Sequence, residues 1–371
     1  MKKSALVGIT ITAFLLASCG GSSNTIPSNI VLAGNLQTSI GNSTYVVGTE
    51  EWAAFNAINS FRGSLGLGYW QQDVFLDQSA QAHMAYSIAN TAQVSMPFQN
   101  DIEVQDYNGL PTVGFSGITP SARAIAKGYY FLENTVTEKN VPSAAVGELY
   151  GAGSALSNSG QDFLNSIVNT IYHRSGLMAQ STVQVGLARD TSGAATANTH
   201  WWINHGRLTS SQSVASDFIA VYPNDQKTGI PLSMTPESPS VYSNIPNFNF
   251  ATSTSSPVSF TMSTLIKITP ISFTVTPANC STPPCTPLTG TTWTMANDPN
   301  LNTTDYSSAT INLTTPPPAA PTIAANEVYW VGSQPFQPNT TYIATFTGTT
   351  YLIPYAVTNG ITKTWSFTTG S

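Results

Sequence analysis

Residues 183–188, Val-Gln-Val-Gly-Leu-Ala, and residues 200–205, His-Trp-Trp-Ile-Asn-His, decide the fold class of the first half of this chain. Both runs have the character of short β-strands. They follow a series of helical segments instead of alternating with them. The sequence therefore predicts a mixed α+β domain and disfavours a βαβ series built on a parallel sheet.

Four helices are predicted ahead of these strands. The first begins near Glu50, because apolar residues recur at helical spacing on one face, namely Trp52, Phe55, Ile58 and Phe61. The second is predicted to begin near Asp77, with the Asp77 side chain as its cap. The third is predicted over 120–130, with Thr119 as N-cap and Pro120 in its first turn. The fourth is predicted over 162–172.

The character of the chain changes after about Thr228. Short strand-like runs are separated by Pro and Thr, and alternate residues share one face of each predicted strand, as in Tyr342, Ala344 and Phe346 and again in Trp365 and Phe367. Strands bounded by turn residues predict an all-β sandwich.

The N-terminus has the layout of a secretory signal. Two lysines, Lys2 and Lys3, precede an apolar run from Ala5 to Leu16, and small residues follow it. The run is shorter than the roughly 20 residues that a membrane-spanning helix needs. Because Cys19 directly follows Ala17 and Ser18, the segment resembles a bacterial lipoprotein signal. That resemblance implies acylation of Cys19 and a lipid-anchored protein of the cell envelope. By resemblance to Gram-negative lipoproteins, Gly20 in place of an acidic residue after the cysteine favours the outer membrane over the inner membrane.

Composition limits the partners of the chain. Charged residues make up 8% of it, hydrophobic residues make up 41%, and the net charge is −6. A hydrophobic content this high is not the signature of disorder. With 12 Lys and Arg in total and no basic cluster, the sequence predicts no nucleic-acid partner.

Cys280 and Cys285 are the two cysteines left after the predicted lipidation site. In an oxidising compartment, a pair this close is expected to form a local disulfide. A redox or metal pair is the alternative, although two prolines and no histidine lie between the thiols.

The first half resembles the CAP superfamily, also called SCP-like, of secreted and surface proteins. Blocks in the family's order carry the resemblance: Asn56–Arg62, Leu76–His83, Gly114–Pro120, Val146–Glu148, Tyr172–Arg174 and Trp201–Gly206. The last part resembles bacterial immunoglobulin-like modules, through 338–342 and 365–370. The predicted organisation is a signal peptide at 1–19, a flexible tether at 20–48, a CAP-like domain at 49–210, a linker at 211–230 and an immunoglobulin-like β domain at 231–371.

The CAP resemblance implies an α-β-α sandwich with a cleft that often holds two His and two Glu. Carried over by position, Glu148 stands where the family has one of its two glutamates, and His173 stands where it has one of its two histidines. The resemblance thus implies that His173 is a candidate ligand of a divalent metal such as zinc. Met96 takes the place of the other histidine, and Asp101 or Glu103 is expected to stand near it. The helix before His173 has no carboxylate at the position of the second glutamate. His83, His200 and His205 are expected to be structural.

Three functions follow as hypotheses. The first is a surface-exposed or periplasmic lipoprotein that is not catalytic and whose CAP-like domain binds a small apolar ligand or a protein partner. A sterol or lipid ligand is what the resemblance implies. The second is a metal-dependent hydrolase of peptide or cell-wall material, with Glu148 as general base and His173 as metal ligand. The third is an inert structural or adhesive scaffold.

Overall fold

The structure is a computed structural model that describes residues 31–90, 102–107, 110–135, 138–153, 159–190, 199–208, 211–280, 284–301 and 322–371. The predicted signal peptide and Cys19 lie outside these residues, as do Met96 and Asp101. Val31–Ser371 form one compact unit. None of the helices that the structure describes has the length and apolar content needed to cross a bilayer.

The described residues form a mixed α and β structure with helices mainly in the first half. The helices are α1 Glu50–Ser64, α2 Val74–Ala89, α3 Pro120–Lys127, α4 Gly160–Val168, α5 Tyr172–Leu177 and α6 Phe250–Ser253. The strands of the first half are β1 Gln71–Gln72, β2 Asp106–Tyr107, β3 Leu110–Pro111, β4 Phe131–Thr135, β5 Glu138–Ser143, β6 Ala145–Gly153, β7 Gln184–Asp190 and β8 Thr199–Arg207. Those of the second half are β9 Ile219–Tyr222, β10 Lys227–Ile230, β11 Val258–Met262, β12 Ile266–Pro277, β13 Gly290–Trp293, β14 Glu327–Gly332, β15 Thr341–Leu352 and β16 Val357–Thr369.

A four-stranded sheet, in the order β1-β7-β8-β6, is the centre of the first half. Side chains alternate between its two faces, as the pleat of a strand requires. Trp201 and Ile203 of β8 face α1 and α4 and join a core with Phe55 and Phe163. Trp202 lies on the other face and packs against Ala80 of α2. Helices therefore cover both faces of this sheet.

The start of α2 and the end of α3 differ from their predicted positions, and capping interactions explain both differences. Helix α2 begins at Val74 because the Asp73 carboxylate accepts hydrogen bonds from the backbone N–H of Phe75 and Leu76. Asp77 therefore lies inside the first turn, and the prediction that it caps the helix is wrong. Helix α3 begins after Thr119 as predicted but ends at Lys127, because Gly128 takes a left-handed conformation with φ 103°.

The second half consists of two packed sheets, in the orders β10-β16-β15-β12 and β13-β14-β11-β9. Phe260 of β11 stacks on Phe346 of β15, with ring centroids 4.2 Å apart, which joins the two sheets. The side chains predicted to share inward faces, including Tyr342, Trp365 and Phe367, are all buried, as predicted.

The outward face of β15 and β16 carries paired threonine hydroxyls in place of charges. The hydroxyl oxygens lie 2.9 Å apart in Thr341–Thr368, 3.1 Å apart in Thr345–Thr364 and 3.3 Å apart in Thr347–Thr362. Such cross-strand pairs stabilise antiparallel strands by a few tenths of a kcal/mol to about 1 kcal/mol each.

Two segments predicted to be connections contact the rest of the protein closely. In the predicted tether, Asn35 and Ser213 exchange two backbone hydrogen bonds of 2.7 and 2.8 Å, and the Leu32 N–H donates to Ser216 Oγ. In the predicted linker, β9 pairs with β11 and β10 pairs with β16. These residues carry backbone donors and acceptors that the neighbouring strands and loops satisfy.

The two halves also share buried contacts. The Arg174 guanidinium, fully buried, donates to the carbonyls of Val168 and Pro257 at 2.6 and 2.9 Å. The Tyr172 hydroxyl donates to Asp298 Oδ1 at 2.6 Å. A small core that includes Ile171 and Tyr329 surrounds them. Residues on both sides of the predicted linker thus form one packed body.

Gly186 of β7 lies where helix α2 crosses the strand, and this gives a prediction. A Cβ at Gly186 would stand 2.1 Å from the backbone of Leu76 and Asp77, whereas a Cβ at Gly360 of β16 would meet nothing within 4 Å. We expect Gly186→Ala to lower the free energy of unfolding by about 3 kcal/mol or more, because neither backbone can yield cheaply. Gly360→Ala is the control and should change it by less than about 0.5 kcal/mol. Urea unfolding of both variants checks this. Equal midpoints would contradict the close helix–strand contact.

Candidate functional site

Four ionisable side chains meet in the interior of the first half and are called here the charge cluster. They are His83 of α2, Glu103 of the irregular segment 102–104, Arg123 of α3 and Glu148 of β6. His83 lies between the two carboxylates, with Nδ1 3.0 Å from Glu103 Oε1 and Nε2 3.3 Å from Glu148 Oε1. Arg123 closes the cluster, with a terminal nitrogen 3.0 Å from Glu148 Oε1 and Nε 3.8 Å from Glu103 Oε1.

Backbone and side-chain donors hold both carboxylates in place. Glu103 Oε2 accepts from the N–H of Ser116 at 2.5 Å and of Gly117 at 3.2 Å, and the Ser116 hydroxyl adds a third contact. With its nitrogen directed at the carboxylate, the Asn204 amide donates to Glu148 Oε2 at 2.5 Å. Burial by itself would raise the pKa of Glu103. The His83 hydrogen bond and the Arg123 charge outweigh it, so this pKa lies below its ordinary value.

The charge cluster is closed to solvent. The exposed fraction of each of its four side chains is 0 or 1%. Its carboxylate oxygens already receive hydrogen bonds, and a catalytic metal site needs an open coordination position. The arrangement therefore neutralises buried charge and joins α2, α3 and β6.

His173, the predicted metal ligand, lies in a different environment from Glu148. Its Nδ1 is 3.1 Å from Glu237 Oε2. The buried Glu237 carboxylate also accepts from the backbone N–H of Ile171 and Tyr172 at 2.8 and 3.0 Å, and so stabilises the start of α5. A cleft of about 190 Å³ opens beside this pair, which is called the His173 cleft. Glu148 and His173 thus have separate partners.

The other predicted site residues form a disulfide or lie outside the described part of the chain. Among the parts of the chain that the structure describes, no group of three or more His, Cys, Asp or Glu is arranged to hold a metal ion. Asp101 and Cys19 lie outside the described residues. Cys280 and Cys285 are joined by a disulfide, with their Cα atoms 5.6 Å apart.

Sequence reasoning did not identify the partners of Glu148 and His173. The expectation for His83 is a structural role, while Arg123 appears only within a family block, and nothing local connects either with residue 148. Glu237 lies 64 positions after His173 and beyond the predicted domain boundary. One signal was present: buried carboxylates require a compensating cation, and the chain has only 12 Lys and Arg to supply one.

A larger open cleft, called the α2 cleft, lies along helix α2 between Val74 and Met84. Its volume is about 510 Å³, within the usual range for small-molecule sites. Its lining comes from five parts of the chain: residues 44–45 of the N-terminal segment, Glu51 of α1, Gln72 of β1, one face of α2 and residues 187–189 of β7. The buried Asp77 of α2 is among these residues. Burial raises the pKa of the Asp77 carboxyl, although hydrogen bonds from Tyr45, Leu187 and Gln72 oppose this.

Comparisons with known proteins add little to these observations. No protein-family model matches the sequence, and no curated protein matches it. Among solved structures, an outer surface protein from Borrelia burgdorferi matches with a TM-score of 0.31 and 15% sequence identity, over 44% of this chain and 96% of that chain. A likeness at this TM-score assigns neither a fold nor a function.

The charge cluster gives a prediction about coupled stability. Arg123→Met leaves two buried carboxylates without their guanidinium, so we expect the free energy of unfolding to fall by about 3–5 kcal/mol. The double variant Arg123→Met/Glu148→Gln should lose clearly less than the sum of the single variants, since one charge is removed with its partner. Arg207→Met, at an exposed arginine, is the matched control and should change little. Urea unfolding of the five chains measures this, and strict additivity would argue against a shared cluster.

His205 gives a prediction about acid stability. Its buried ring stacks on Trp70 with centroids 5.1 Å apart, and burial together with the nearby Arg62 charge lowers the pKa of His205 from 6.5 to about 4. The unfolded chain therefore binds a proton near pH 6.5 that the folded chain binds only near pH 4. Stability from this group is complete above pH 6.5 and is lost as the pH falls towards 4. The full loss is about 3 kcal/mol, at about 1.4 kcal/mol per pKa unit.

Urea unfolding between pH 7.5 and 4.5 checks this dependence. Burial also lowers the pKa of His200, which adds a contribution of the same sign. Burial raises the pKa of Asp77 and of Glu327, and these carboxyls contribute with the opposite sign. His205→Phe keeps a planar ring against Trp70 but cannot titrate, so it should lose clearly less stability between pH 7.5 and 4.5 than the unaltered chain does. An unchanged slope in His205→Phe would contradict the assignment.

Proposed function

We propose that the chain is a lipid-anchored protein of the bacterial cell envelope whose first half is a CAP-like domain that binds a small ligand without catalysis. The second half would be an immunoglobulin-like module fixed rigidly to it. One observation carries the proposal: Glu148, the glutamate that the CAP resemblance places in the cleft, is paired with His83 and Arg123 in a closed interior cluster. The open α2 cleft provides room for a ligand elsewhere.

Several features support the parts of this proposal. Helices on both faces of a central sheet fit the α-β-α arrangement that the CAP resemblance implies. Two packed sheets, which are antiparallel except for the parallel pair β10 and β16, fit an immunoglobulin-like module. The signal-like segment ending at Cys19 and the disulfide between Cys280 and Cys285 fit an oxidising extracytoplasmic location. The outer membrane, and a sterol or lipid as the ligand, stay predictions.

The metal-dependent hydrolase is the less favoured alternative. It requires Glu148 and His173 to act on one substrate, yet their side chains contact different partners. A zinc ion also prefers three or four protein ligands, and among the described residues the carboxylate of Glu237 is the one side chain of ligand type that contacts the His173 ring. The third hypothesis, an inert scaffold, assigns no role to the His173 cleft or to the α2 cleft. Binding of a ligand in either cleft would argue against that hypothesis.

One comparison of three chains tests the proposal. The full-length chain, Cys19→Ser and Glu148→Gln are produced in a bacterial host and fractionated. We expect the unaltered chain in the membrane fraction with acyl mass on Cys19, and no acyl mass in Cys19→Ser. Native mass spectrometry of residues 20–371, purified without chelator, should show no stoichiometric divalent metal.

Hydrolysis is measured on these three proteins and on a fourth, Asp217→Asn, with zinc added and with peptide and peptidoglycan substrates. We expect no turnover by the unaltered chain. Turnover that is lost in Glu148→Gln but retained in the exposed-carboxylate control Asp217→Asn would overturn the non-catalytic proposal. A chain found unacylated and soluble would overturn the anchor.

A further inference from the structure

The α2 cleft is built as a preorganised site, and Asp77 organises it. Asp77 Oδ1 accepts from the Tyr45 hydroxyl at 2.5 Å and from the Leu187 N–H at 2.7 Å, and Oδ2 accepts from Gln72 Nε2 at 2.5 Å. The Gln72 side-chain oxygen in turn accepts from the Thr44 N–H at 2.5 Å. One buried carboxylate thereby holds two side chains and one backbone N–H, which come from three separate segments of the wall.

The charges that line the α2 cleft are already engaged. The Asp77 carboxylate is occupied by the three donors just described, so it positions the wall and offers little to a ligand. Arg189 lies 4.0 Å from Glu51 Oε1, and its guanidinium lies over the Trp201 ring, 5.3 Å from the centroid. The lining therefore has two carboxylates and one cation, all with partners. Such a cleft gives no advantage to phosphate or carboxylate ligands.

The polar groups left for a ligand are mainly amides. Gln78 and Gln81 are exposed on the face of α2 that lines the cleft, and among the described residues no hydrogen bond engages their side chains. A carboxamide both donates and accepts, and so does a hydroxyl group. Two amides one helical turn apart therefore match a ligand with several neutral hydroxyls along one edge.

Apolar surface lies beside these amides. Val74, Met84, Leu187 and Ala188 line the same cleft. Val74 is exposed and Met84 is half-buried, whereas Leu187 and Ala188 are each only 2% exposed, so Val74 and Met84 supply most of the apolar surface. A ligand that fits must present hydroxyls on its edge and C–H groups on its face. A sugar ring has both in a rigid unit, and the volume of about 510 Å³ lies in the range for a small-molecule ligand.

We propose that the α2 cleft binds a neutral saccharide, with Gln78 and Gln81 as hydrogen-bonding residues and Asp77 as the positioning residue. The inference rests on the proposed function, because it names the class of ligand for a non-catalytic binding domain. It does not use the charge cluster or the His173 cleft.

Calorimetric titration tests this with the chain from residue 20 onward, which contains the whole compact unit Val31–Ser371. The probes are cellotetraose, maltotetraose and chitotetraose, each to 10 mM in the presence of EDTA. Gln78→Ala/Gln81→Ala should weaken binding at least about ten-fold through the loss of two hydrogen bonds. Gln334→Ala, at an exposed glutamine of the second half, is the matched control and should bind as the unaltered chain does.

The outcomes decide the proposal in both directions. Binding that is weakened in the double variant and unchanged in Gln334→Ala supports it. Equal binding in the double variant, binding of none of the three probes, or a cleft that takes peptides or acidic sugars in their place would overturn it. If circular dichroism shows that the double variant does not fold, Gln81→Trp takes its place, because the larger side chain fills the cleft from its rim. Weakened binding in Gln81→Trp then supports the proposal, and unchanged binding overturns it. Because the titration reads binding with chelator present, hydrolysis dependent on Glu148 would overturn the proposed function without affecting this result.

Discussion

The neutralisation of two buried carboxylates is the constraint on which the first half depends. The side chains of Glu103 and Glu148 are 0 and 1% exposed, so their carboxylates need partners inside the protein. Arg123 supplies a positive charge from α3 and His83 supplies contacts to both carboxylates from α2, while Glu148 comes from an edge strand and Glu103 from an irregular segment. A shift of any one element would leave a buried charge unpaired, which costs several kcal/mol. The cluster therefore fixes how α2, α3 and β6 lie together.

A second set of buried polar contacts fixes one half against the other. Arg174 donates to carbonyls on both sides, and Glu237 of the second half stabilises the first turn of α5 in the first. Short charged hydrogen bonds of this kind are among the stronger ones in proteins. The two halves of this protein are thus joined by buried polar contacts as well as by a shared apolar core.

The sequence predicts elements better than it predicts partners. Apolar periodicity placed α1, β8 and the long strands β15 and β16, because each buries one face and the pattern is local. It missed β6, in which two glycines and Glu148 interrupt the apolar pattern, and it misplaced the cap of α2, because Asp73 and Asp77 are equally plausible caps by composition. The contacts within the candidate site were harder to predict from the sequence. Glu148 was identified through a resemblance, but its contacts with His83 and Arg123 join residues 65 and 25 positions apart, and no local pattern encodes such distances.

The threonine pairs on β15 and β16 have a consequence for the environment that the protein tolerates. Most soluble proteins keep their surfaces hydrated with lysine and glutamate, whose mutual repulsion and counter-ions change with ionic strength. Here three pairs of hydroxyls, made by six threonines, join β15 to β16 without a charge in any pair. There is no charge in these pairs for salt to screen and no group that titrates near neutral pH, so their contribution to holding the two strands together is the same in brine and in fresh water.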